Sequence, residues 1–454
     1  MAKRGERPAD VFVCGACGNE YARWSGRCPG CGEWNSLQPW EQAPTPVDGK
    51  PPVSARWQPL RAAAESPAAP TPTGLPEVDR VLGGGLVPGA LVLLGGEPGI
   101  GKSTLALQIA ASPAGPAWYL AGEESPSQVA TRARRLGLDR TDVHLATGEL
   151  SAVLEAAAGG AARALVVDSL QTVTLAGAPG TAGTPGHLRA VAQALLGWAK
   201  EASAAVLLVG HVTKDGEVAG PRTVEHLVDV VLYLEGERGF ELRLLRCVKN
   251  RFGSADEVGV CRMTAGGLVP EPDLSRLLLA ERPAGAAGSA VTAAMEGTRP
   301  VLVEVQALVT PSALAVPRRV ATGVDTGRLL MLCAVLSQRA RVPLGQQDVL
   351  VNVAGGMRVT DPAIDLAVAV SIASAERGVP VPDDVALLGE VGLAGELRRP
   401  RHVERRLAEA ARCGYRRVVL PASARELATG DGLTLVPART LAEALRRVLG
   451  DVQR

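Results

Sequence analysis

The chain has 454 residues, enough for about three domains, and its 46% hydrophobic and 21% charged content is typical of a globular protein. Its 48 basic and 47 acidic residues give a net charge of +1, which argues against a surface coated in positive charge for nucleic acid. No apolar run reaches the ~18 residues that span a bilayer, and residues 1–10 lack the apolar stretch of a secretory signal. The eight cysteines form no disulfide framework, so we expect a cytoplasmic protein.

The sequence divides into four segments. Residues 1–40 predict a small polar unit, and residues 41–72, rich in proline and alanine, predict an extended linker. Over residues 73–275, apolar strand runs alternate with longer segments, which predicts an α/β domain with a mostly parallel sheet. A joint at 281–289 leads into a third domain, 285–454. The predicted strands are 90–94, 117–121, 164–168, 204–210, 229–234, 241–247, 301–308 and 417–420, and the predicted helices of the third domain are 326–339, 362–377 and 403–413.

Two CxxC pairs lie ten residues apart near the start of the chain. This spacing lets four thiolates meet one tetrahedral ion, and so short a unit would take most of its folding energy from the metal. We therefore expect a structural Zn²⁺ site, which the paired spacing favours over a redox dithiol. The predicted ligands are Cys14, Cys17, Cys28 and Cys31. Two interpretations, a contact with DNA or protein and a miniature core, remain open for the residues between the pairs: Tyr21, Arg23, Trp24 and Arg27.

Residues 96–104 match the phosphate-binding pattern GxxxxGK[ST]. The segment follows an apolar strand and precedes a helical pattern, so its backbone amides are expected to cradle phosphates at a helix N-terminus. Lys102 is expected to reach the β- and γ-phosphates of a bound nucleotide, and Ser103 is expected to bind Mg²⁺. The nine residues are Gly96-Glu97-Pro98-Gly99-Ile100-Gly101-Lys102-Ser103-Thr104.

Polar side chains end or follow three later strands of the same domain. Asp168 ends one strand and is the expected partner of Ser103 in the Mg²⁺ shell. Glu123 and Glu124 follow another, where a carboxylate would polarise the attacking water, and we favour this role for Glu123 over that of a solvated or capping pair. His211 follows a third strand and either senses the γ-phosphate or is a satisfied loop histidine.

Together these residues resemble the bacterial RadA (Sms) family of DNA repair proteins over nearly the whole chain. The resemblance rests on the zinc unit ending Cys-Pro-Gly-Cys-Gly-Glu-Trp-Asn, the phosphate loop, Gly-Glu-Glu-Ser at 122–125 and Lys-Asn-Arg-Phe-Gly at 249–253. It implies a RecA-like P-loop ATPase core, a small N-terminal zinc ribbon and a C-terminal α+β domain like that of the Lon protease. Members of the family are hexameric ring ATPases that act on branched DNA during recombination, driving strand exchange and branch migration.

The resemblance also implies roles for individual residues. It places ATP between two subunits, with Glu123 as the catalytic glutamate, Glu124 as a close second and His211 as a γ-phosphate contact. Lys249 and Arg251 resemble the cations that a neighbouring subunit inserts into the site, and which of them reaches the nucleotide stays open. A basic turn after an edge strand is the alternative for these two cations.

Two segments, 175–186 and 212–222, fall where RecA-like folds place DNA-facing loops. Glycines give such loops mobility, and Arg189, Lys214 and Arg222 would supply phosphate contacts. Flexible surface loops without a role have the same composition.

From about residue 285 the chain resembles the proteolytic domain of Lon, most clearly in Leu-Gly-Glu-Val-Gly-Leu-Ala-Gly-Glu-Leu. A Lon protease needs a serine nucleophile activated by a lysine. The serine position corresponds to Ala363, the lysine position falls near Glu404, and no lysine follows Lys249. Ser371 and Ser374 therefore have no lysine base, and we expect a dead protease domain kept for assembly and DNA contact.

Residues 398–417 hold eight arginines against two glutamates, a local excess of six positive charges. Arginine suits phosphate because its planar fork donates two hydrogen bonds at once, and a solvated basic helix face is the alternative. The candidate DNA contacts are Arg398, Arg399, Arg401, Arg405 and Arg406.

The function predicted is that of a DNA-dependent ATP hydrolase, a helicase-like motor that loads on single-stranded and branched DNA beside a recombinase partner. A Lon-like ATP-dependent protease is one alternative, which the missing dyad disfavours. A signalling ATPase on the same core, without a DNA role, is the other, and the zinc unit and the arginine run argue against it.

Overall fold

The computed structural model describes residues 12–14, 20–30, 32–39, 69–112, 115–157, 162–211, 224–236, 241–424, 426 and 432–451. The chain forms two compact units, residues 1–271 and 272–454. This boundary lies earlier than the joint at 281–289 that the sequence predicts. The reason is that Ser275 accepts a hydrogen bond from the amide of Leu302 at 3.0 Å and donates one to Glu409, which ties its helix to the second unit.

A small antiparallel sheet lies near the start of the chain. Its strands are β1 (Phe12–Cys14), β2 (Glu20–Tyr21) and β3 (Leu37–Pro39), in the order β2-β1-β3. Cys14, Cys28 and Leu37 are buried together, and Phe12 and Tyr21 pack against them. An apolar core of this size stabilises a fold only weakly, so a further source of stability is needed.

A nine-stranded sheet dominates the described part of the first unit. Its strands are β4 (Leu91–Gly96), β5 (Ala117–Ala121), β6 (Val143–Ala146), β7 (Ala164–Asp168), β8 (Ala205–Val209), β9 (Val230–Glu235), β10 (Leu242–Asn250), β11 (Val258–Thr264) and β12 (Gly267–Pro270). The order is β12-β11-β10-β9-β4-β8-β7-β5-β6, parallel from β9 to β6 and antiparallel from β12 to β9. The sequence does not predict β6, a short edge strand with mostly accessible side chains, nor β11 and β12 at the other side of the sheet.

Helices cover both faces of this sheet. They are α1 (Pro76–Leu82), α2 (Lys102–Ala110), α3 (Pro126–Arg135), α4 (Leu150–Ala157) and α5 (Pro185–Ala202). One core lies between the sheet and α1 to α3, and the other between the sheet and α4 and α5. Because β4, β5, β7 and β8 are parallel, their carboxyl ends meet at one edge, and the polar residues that follow them converge there.

The second unit is a mixed α+β fold. Its seven-stranded sheet contains β13 (Ser289–Glu296), β14 (Arg299–Pro311), β15 (Arg319–Thr322), β16 (Gln347–Val353), β17 (Val385–Leu387), β20 (Arg417–Pro421) and β21 (Thr434–Ala438), and β18 (Glu390–Val391) pairs with β19 (Leu397–Arg398). The sheet order is β15-β16-β14-β13-β17-β20-β21. The helices are α6 (Leu274–Leu279), α7 (Thr326–Arg339), α8 (Asp365–Arg377), α9 (Val403–Arg412) and α10 (Leu441–Leu449), with 3-10 turns at Ala354–Gly356, Pro362–Ile364 and Ala422–Ala424.

The residue at the position that corresponds to the protease nucleophile is buried. Ala363 is buried in the 3-10 turn ahead of α8. Ser371 and Ser374 lie in α8 without exposed surface and donate to the backbone oxygens of Val368 and Val379. Neither hydroxyl is therefore accessible to a peptide.

Arg406 lies on the buried face of α9 and is only 2% exposed. Its guanidinium pairs with Asp361 at 2.7 Å and donates to the backbone oxygens of Arg401 and Ala293. The prediction that Arg406 contacts DNA is wrong, because its donors are used inside the unit.

Replacing Arg406 with alanine is expected to lower the free energy of unfolding of the second unit by about 3 kcal/mol, because the Asp361 carboxylate loses its partner in a poorly solvated place. Urea unfolding of the full chain measures this loss. Arg405→Ala is the matched control, since Arg405 is an exposed neighbour on α9 and its removal should cost less than about 0.5 kcal/mol. Equal effects of the two substitutions would contradict the structural role of Arg406.

Candidate nucleotide site

The loop between β4 and α2 begins at the edge of the sheet where the parallel strands end. Gly96 and Gly101 have φ angles of 149° and 116°. A Cβ added to Gly96 would lie 2.5 Å from the backbone oxygen of Leu234, and one added to Gly101 would lie 2.4 Å from Cε of Met263. The backbone therefore needs glycine at both places. No side chain caps the first turn of α2, so its amides can face an anion.

Lys102 is the first residue of α2 and is buried. Its Nζ donates to two carbonyl oxygens of the loop, both at 2.9 Å, and lies 3.0 Å from Nδ1 of His211. Burial lowers the pKa of Lys102 to about 8, although the carboxylates of Asp168 and Glu123 act in the opposite direction. The ammonium group expected to meet the phosphates thus has partners within the chain.

Hydrogen bonds join Lys102 to Glu123 through His211. Nδ1 of His211 faces the ammonium group and must accept, so Nε2 carries the proton and donates to Oε1 of Glu123 at 3.1 Å. Ser169 donates to the same oxygen. Burial alone would raise the pKa of Glu123, but the hydrogen bonds from Ser169 and His211 and the charge of Lys102 bring it below its usual value. Glu123 is therefore a carboxylate at neutral pH.

Glu124 points to a different partner. It forms an ion pair with Arg132 of α3, a helix that Ser125 caps with a reciprocal capping box. Among the described residues, the hydrogen bonds of this region thus link Glu123, and not Glu124, to His211 and through it to Lys102.

Asp168 lies at the carboxyl end of β7 and is buried. Tyr119 of β5 donates to its Oδ2, and burial together with the nearby carboxylate raises the pKa of Tyr119, so the hydroxyl stays a donor. Oδ1 has no hydrogen-bond partner in the part of the chain that the structure describes. A carboxylate oxygen and the Ser103 hydroxyl are the hard oxygen ligands that Mg²⁺ prefers, so these residues fit that ion.

The structure thus brings together Lys102, Glu123, Asp168 and His211, all of which the sequence singles out. Sequence reasoning misses Ser169 and Tyr119, although Ser169 directly follows Asp168. A hydroxyl next to the terminal carboxylate of a strand is the signal that would find it.

Lys249 and Arg251 lie near the amino ends of β9 and β4, at the opposite end of these strands from the phosphate loop. Next to the phosphate loop, Gly96 at the carboxyl end of β4 pairs with Leu234 of β9. Asn250 of β10 pairs with Val230, which lies four residues earlier on β9. Four residues of a strand span about 13 Å. Within one chain, these cations therefore lie away from the phosphate loop.

Both cations contact their own chain. Lys249 donates to three carbonyl oxygens in 225–228, at 2.7, 2.8 and 3.3 Å. Burial and the charge of Arg251 lower the pKa of Lys249. Arg251 pairs with Asp229 at 3.1 Å, while more than half of its side chain stays exposed.

Of the four predicted zinc ligands, Cys14 and Cys28 are buried, and Cys17 and Cys31 lie outside the described residues. The hydroxyl of Tyr21 lies 3.5 Å from the sulfur of Cys28. Buried sulfur donors in so small a core suit a tetrahedral zinc ion.

The residues between the cysteine pairs differ in their surroundings. Tyr21 packs on the miniature core, whereas Arg23 is exposed. Trp24 donates to the backbone of Leu37 but is 55% exposed. Arg27 lies over the ring of Trp34, 5.7 Å from its centroid.

The predicted DNA contacts of the first unit are only partly described. Arg189 is exposed on α5, which follows the 175–186 segment. Lys214 and Arg222 lie outside the described residues.

The remaining arginines of the 398–405 group are exposed. Arg398 pairs with Glu396 at 2.6 Å, and Arg399 pairs with Glu404 at 3.0 Å. Arg405 donates to a backbone oxygen at 2.9 Å. The side chain of Arg401 has no partner among the described residues.

Three family descriptions match segments of the chain. The Rubredoxin metal binding domain matches residues 12–39, the AAA domain matches residues 58–217, and Subunit ChlI of Mg-chelatase matches residues 331–424. The segments follow the predicted order of metal-binding unit, ATPase core and C-terminal domain.

The DNA repair protein RadA of Bacillus subtilis (strain 168) is 43% identical to this chain, covering 97% of this chain and 98% of its own. The RadA proteins of Brucella abortus (strain 2308) and Listeria monocytogenes serovar 1/2a (strain ATCC BAA-679 / EGD-e) are 44% and 42% identical. They cover 96% and 97% of this chain, and 97% and 98% of their own length. The chain belongs to the RadA family of DNA repair proteins.

Membership confirms the expected family and fold class, a RecA-like P-loop ATPase with an N-terminal zinc ribbon and a C-terminal Lon-like domain. The RadA family and the AAA match identify the chain as an ATPase with a role in DNA repair. A solved KaiC-like protein of Pyrococcus horikoshii OT3 aligns with a TM-score of 0.38 and 20% identity over 45% of this chain and all of its own, a similarity too low to bear on the argument. Among the described residues, no helix is both long enough and apolar enough to cross a membrane.

The affinity for ATP is expected to fall as pH rises above about 8. The free Lys102 loses its proton near that pH, whereas a bound triphosphate favours the ammonium form, so binding takes up a proton. The slope should approach about tenfold in affinity per pH unit.

Calorimetry in buffers of different ionisation enthalpy measures the proton uptake directly. Lys102→Arg is the control, because a guanidinium group stays charged over this range. An affinity independent of pH between about 8 and 9.5 would contradict the lowered pKa of Lys102.

Proposed function

We propose that this RadA-family protein is a DNA-dependent ATPase motor that binds single-stranded and branched DNA and promotes strand exchange and branch migration. It works as a homohexamer with ATP bound between subunits, and it acts beside a recombinase. Membership of a DNA repair family supports a function on DNA during repair. The geometry of one chain supports sites that are shared between subunits.

The placement of Lys249 and Arg251 carries the proposal. They lie near the amino end of β9 and β4, while the phosphate loop lies at the carboxyl end. A cation that acts on ATP from this position must act on the nucleotide of another subunit. Two copies arranged head to tail would bring the cations of one subunit to the phosphate loop of the next. Such a contact closes into a ring when the rotation between neighbouring subunits allows it.

ATP bound at the phosphate loop would be held by backbone amides and by Lys102, with Mg²⁺ on Ser103 and Asp168. The ion would neutralise charge on the phosphate oxygens. Glu123 is a carboxylate placed to polarise the attacking water, and His211 is placed to respond to the γ-phosphate, because it bonds both Lys102 and Glu123. Lys249 or Arg251 of the neighbour would stabilise the transition state, which makes hydrolysis depend on assembly.

The N-terminal unit holds a structural Zn²⁺ on Cys14, Cys17, Cys28 and Cys31 in this proposal. The burial of Cys14 and Cys28 and the match to a metal-binding domain support it. Four thiolates would fill the coordination shell, so the ion stabilises the unit and leaves no open position for chemistry.

The C-terminal unit has no proteolytic role in this proposal. The burial of Ala363, Ser371 and Ser374 supports this, as does the absence of any lysine after Lys249. Arg398, Arg399, Arg401 and Arg405 would contact DNA phosphates instead, and Arg189, Lys214 and Arg222 of the first unit would supply further contacts.

ATP hydrolysis with and without single-stranded DNA tests the motor. We expect DNA to stimulate the parent protein, and we expect Lys102→Ala and Lys249→Ala each to abolish the stimulated rate. Hydrolysis that DNA does not change would favour a signalling ATPase. A Lys249→Ala variant with full stimulated activity would remove the neighbour role of that cation.

Mixing the two inactive variants tests the shared site. A Lys249→Ala subunit keeps its phosphate loop and can receive Lys249 from a Lys102→Ala neighbour, so random mixing at equal amounts restores about a quarter of the sites. Activity that stays at the level of the separate variants would contradict a site between subunits. Mixing each variant with itself is the control.

Replacing Arg398, Arg399 and Arg401 with alanine is expected to weaken binding of single-stranded DNA and to reduce the slope of log affinity against log salt by about 2, because three phosphate contacts are lost. The charge-matched control replaces three other exposed arginines of the same unit, Arg439, Arg446 and Arg447. Titrations at several salt concentrations measure both. Equal slopes for the two triple variants would remove the 398–401 group from the DNA contacts.

A further inference from the structure

The turn after β7, residues 169–172, contacts two of the residues assigned to hydrolysis, the side chain of Glu123 and the main chain of His211. Ser169 is completely buried and donates to Oε1 of Glu123. Nε2 of Gln171 donates to the backbone oxygen of His211 at 3.3 Å. Thr172 closes the turn, because its hydroxyl donates to the backbone oxygen of Ser169 at 3.0 Å.

The two oxygens of the Glu123 carboxylate have different surroundings. Oε1 accepts from Ser169 and from Nε2 of His211 at 3.1 Å. Oε2 has no hydrogen-bond partner within the described ranges. Two donors on one oxygen fix the rotation of the carboxylate, so Oε2 is the oxygen left to take a proton from water.

The turn is closely fitted to the end of β5. The amide of Gly122 donates to the backbone oxygen of Asp168 at 2.6 Å. A Cβ at Gly122 would lie only 2.6 Å from the hydroxyl oxygen of Thr172 and 3.3 Å from Cγ2 of Val173. Ser169 follows Asp168 directly, so one short segment sets the positions of the Mg²⁺ carboxylate and of the base together.

We propose that Ser169 and Gln171 are positioning residues for ATP hydrolysis, with Ser169 orienting Glu123 and Gln171 holding His211 through its main chain. This inference rests on the proposed role of Glu123 as the group that polarises water. Neither residue touches ATP in this proposal. Their loss therefore affects the chemical step and spares nucleotide affinity.

Ser169→Ala is expected to lower kcat about tenfold with little change in KM for ATP, because the carboxylate loses one of the two donors that fix it. Since the bond from Ser169 helps to lower the pKa of Glu123, its loss also moves the acid limb of the kcat profile to higher pH. A purely structural serine would not move that limb. Ser169→Thr keeps a hydroxyl and should recover most of the rate.

Gln171→Ala is expected to lower kcat by several-fold without a shift of the acid limb, because it acts on the main chain of His211 and not on the carboxylate. Two matched controls in the same unit are the exposed Ser127→Ala and Gln193→Ala, which should behave as the parent. Thermal unfolding and the affinity for a non-hydrolysable analogue check that the variants fold and bind. Unchanged kcat and pH profile in Ser169→Ala and Gln171→Ala would overturn the inference.

Glu123→Gln separates this inference from the proposed function. If this variant hydrolyses ATP normally, the role of Glu123 is wrong, and the inference falls with it. If Glu123→Gln is inactive and Ser169→Ala and Gln171→Ala are normal, Glu123 keeps its role and the inference alone fails.

Discussion

The hydrogen bonds of the Lys102 ammonium group connect the ends of separate strands into one site. The lysine bonds carbonyls of the loop after β4 and reaches His211 after β8, which reaches Glu123 after β5. These strand ends are far apart in sequence and meet only because β4, β8, β7 and β5 are parallel neighbours. A triphosphate at this loop would compete with His211 for the same ammonium group, so the position of the histidine would report on the nucleotide.

The sequence predicts the central strands of the ATPase core but not β6, β11 or β12, because strands buried on both faces are continuous apolar runs and the outer strands are not. It also finds Glu123 and His211, since polar residues at the ends of such runs are few. It does not separate Glu123 from Glu124, because the choice depends on Arg132, whose helix must first be placed beside Glu124. Contacts between residues far apart in the chain, such as the hydrogen bond from Ser169 to Glu123, leave no local pattern in the sequence.

Arg406 shows where charge counting fails. It lies three residues after Val403 and one before Leu407, on the side of α9 that faces the core. Helical spacing within the arginine run would have separated this residue from its exposed neighbours. A count of charges over twenty residues cannot see that difference, because it treats both faces of the helix alike.

Several arginines of the second unit are paired locally with carboxylates. Arg412 contacts Asp273 and Glu409, and Arg417 is held by both oxygens of Asp384. Paired arginines present less field to a distant anion than their number suggests. The cationic surface is therefore smaller and more localised than the composition of residues 398–417 implies.

The distribution of lysine has a practical consequence for chemical labelling of the protein. All six lysines precede the boundary at residue 271, so every side-chain primary amine belongs to the first unit. Of these, Lys102 is buried and Lys249 is bonded to carbonyls, whereas Lys200 is exposed at the end of α5. Amine-reactive cross-linkers will therefore leave the side chains of the second unit unlabelled, and mapping its neighbours requires reagents directed at carboxylates or at arginine.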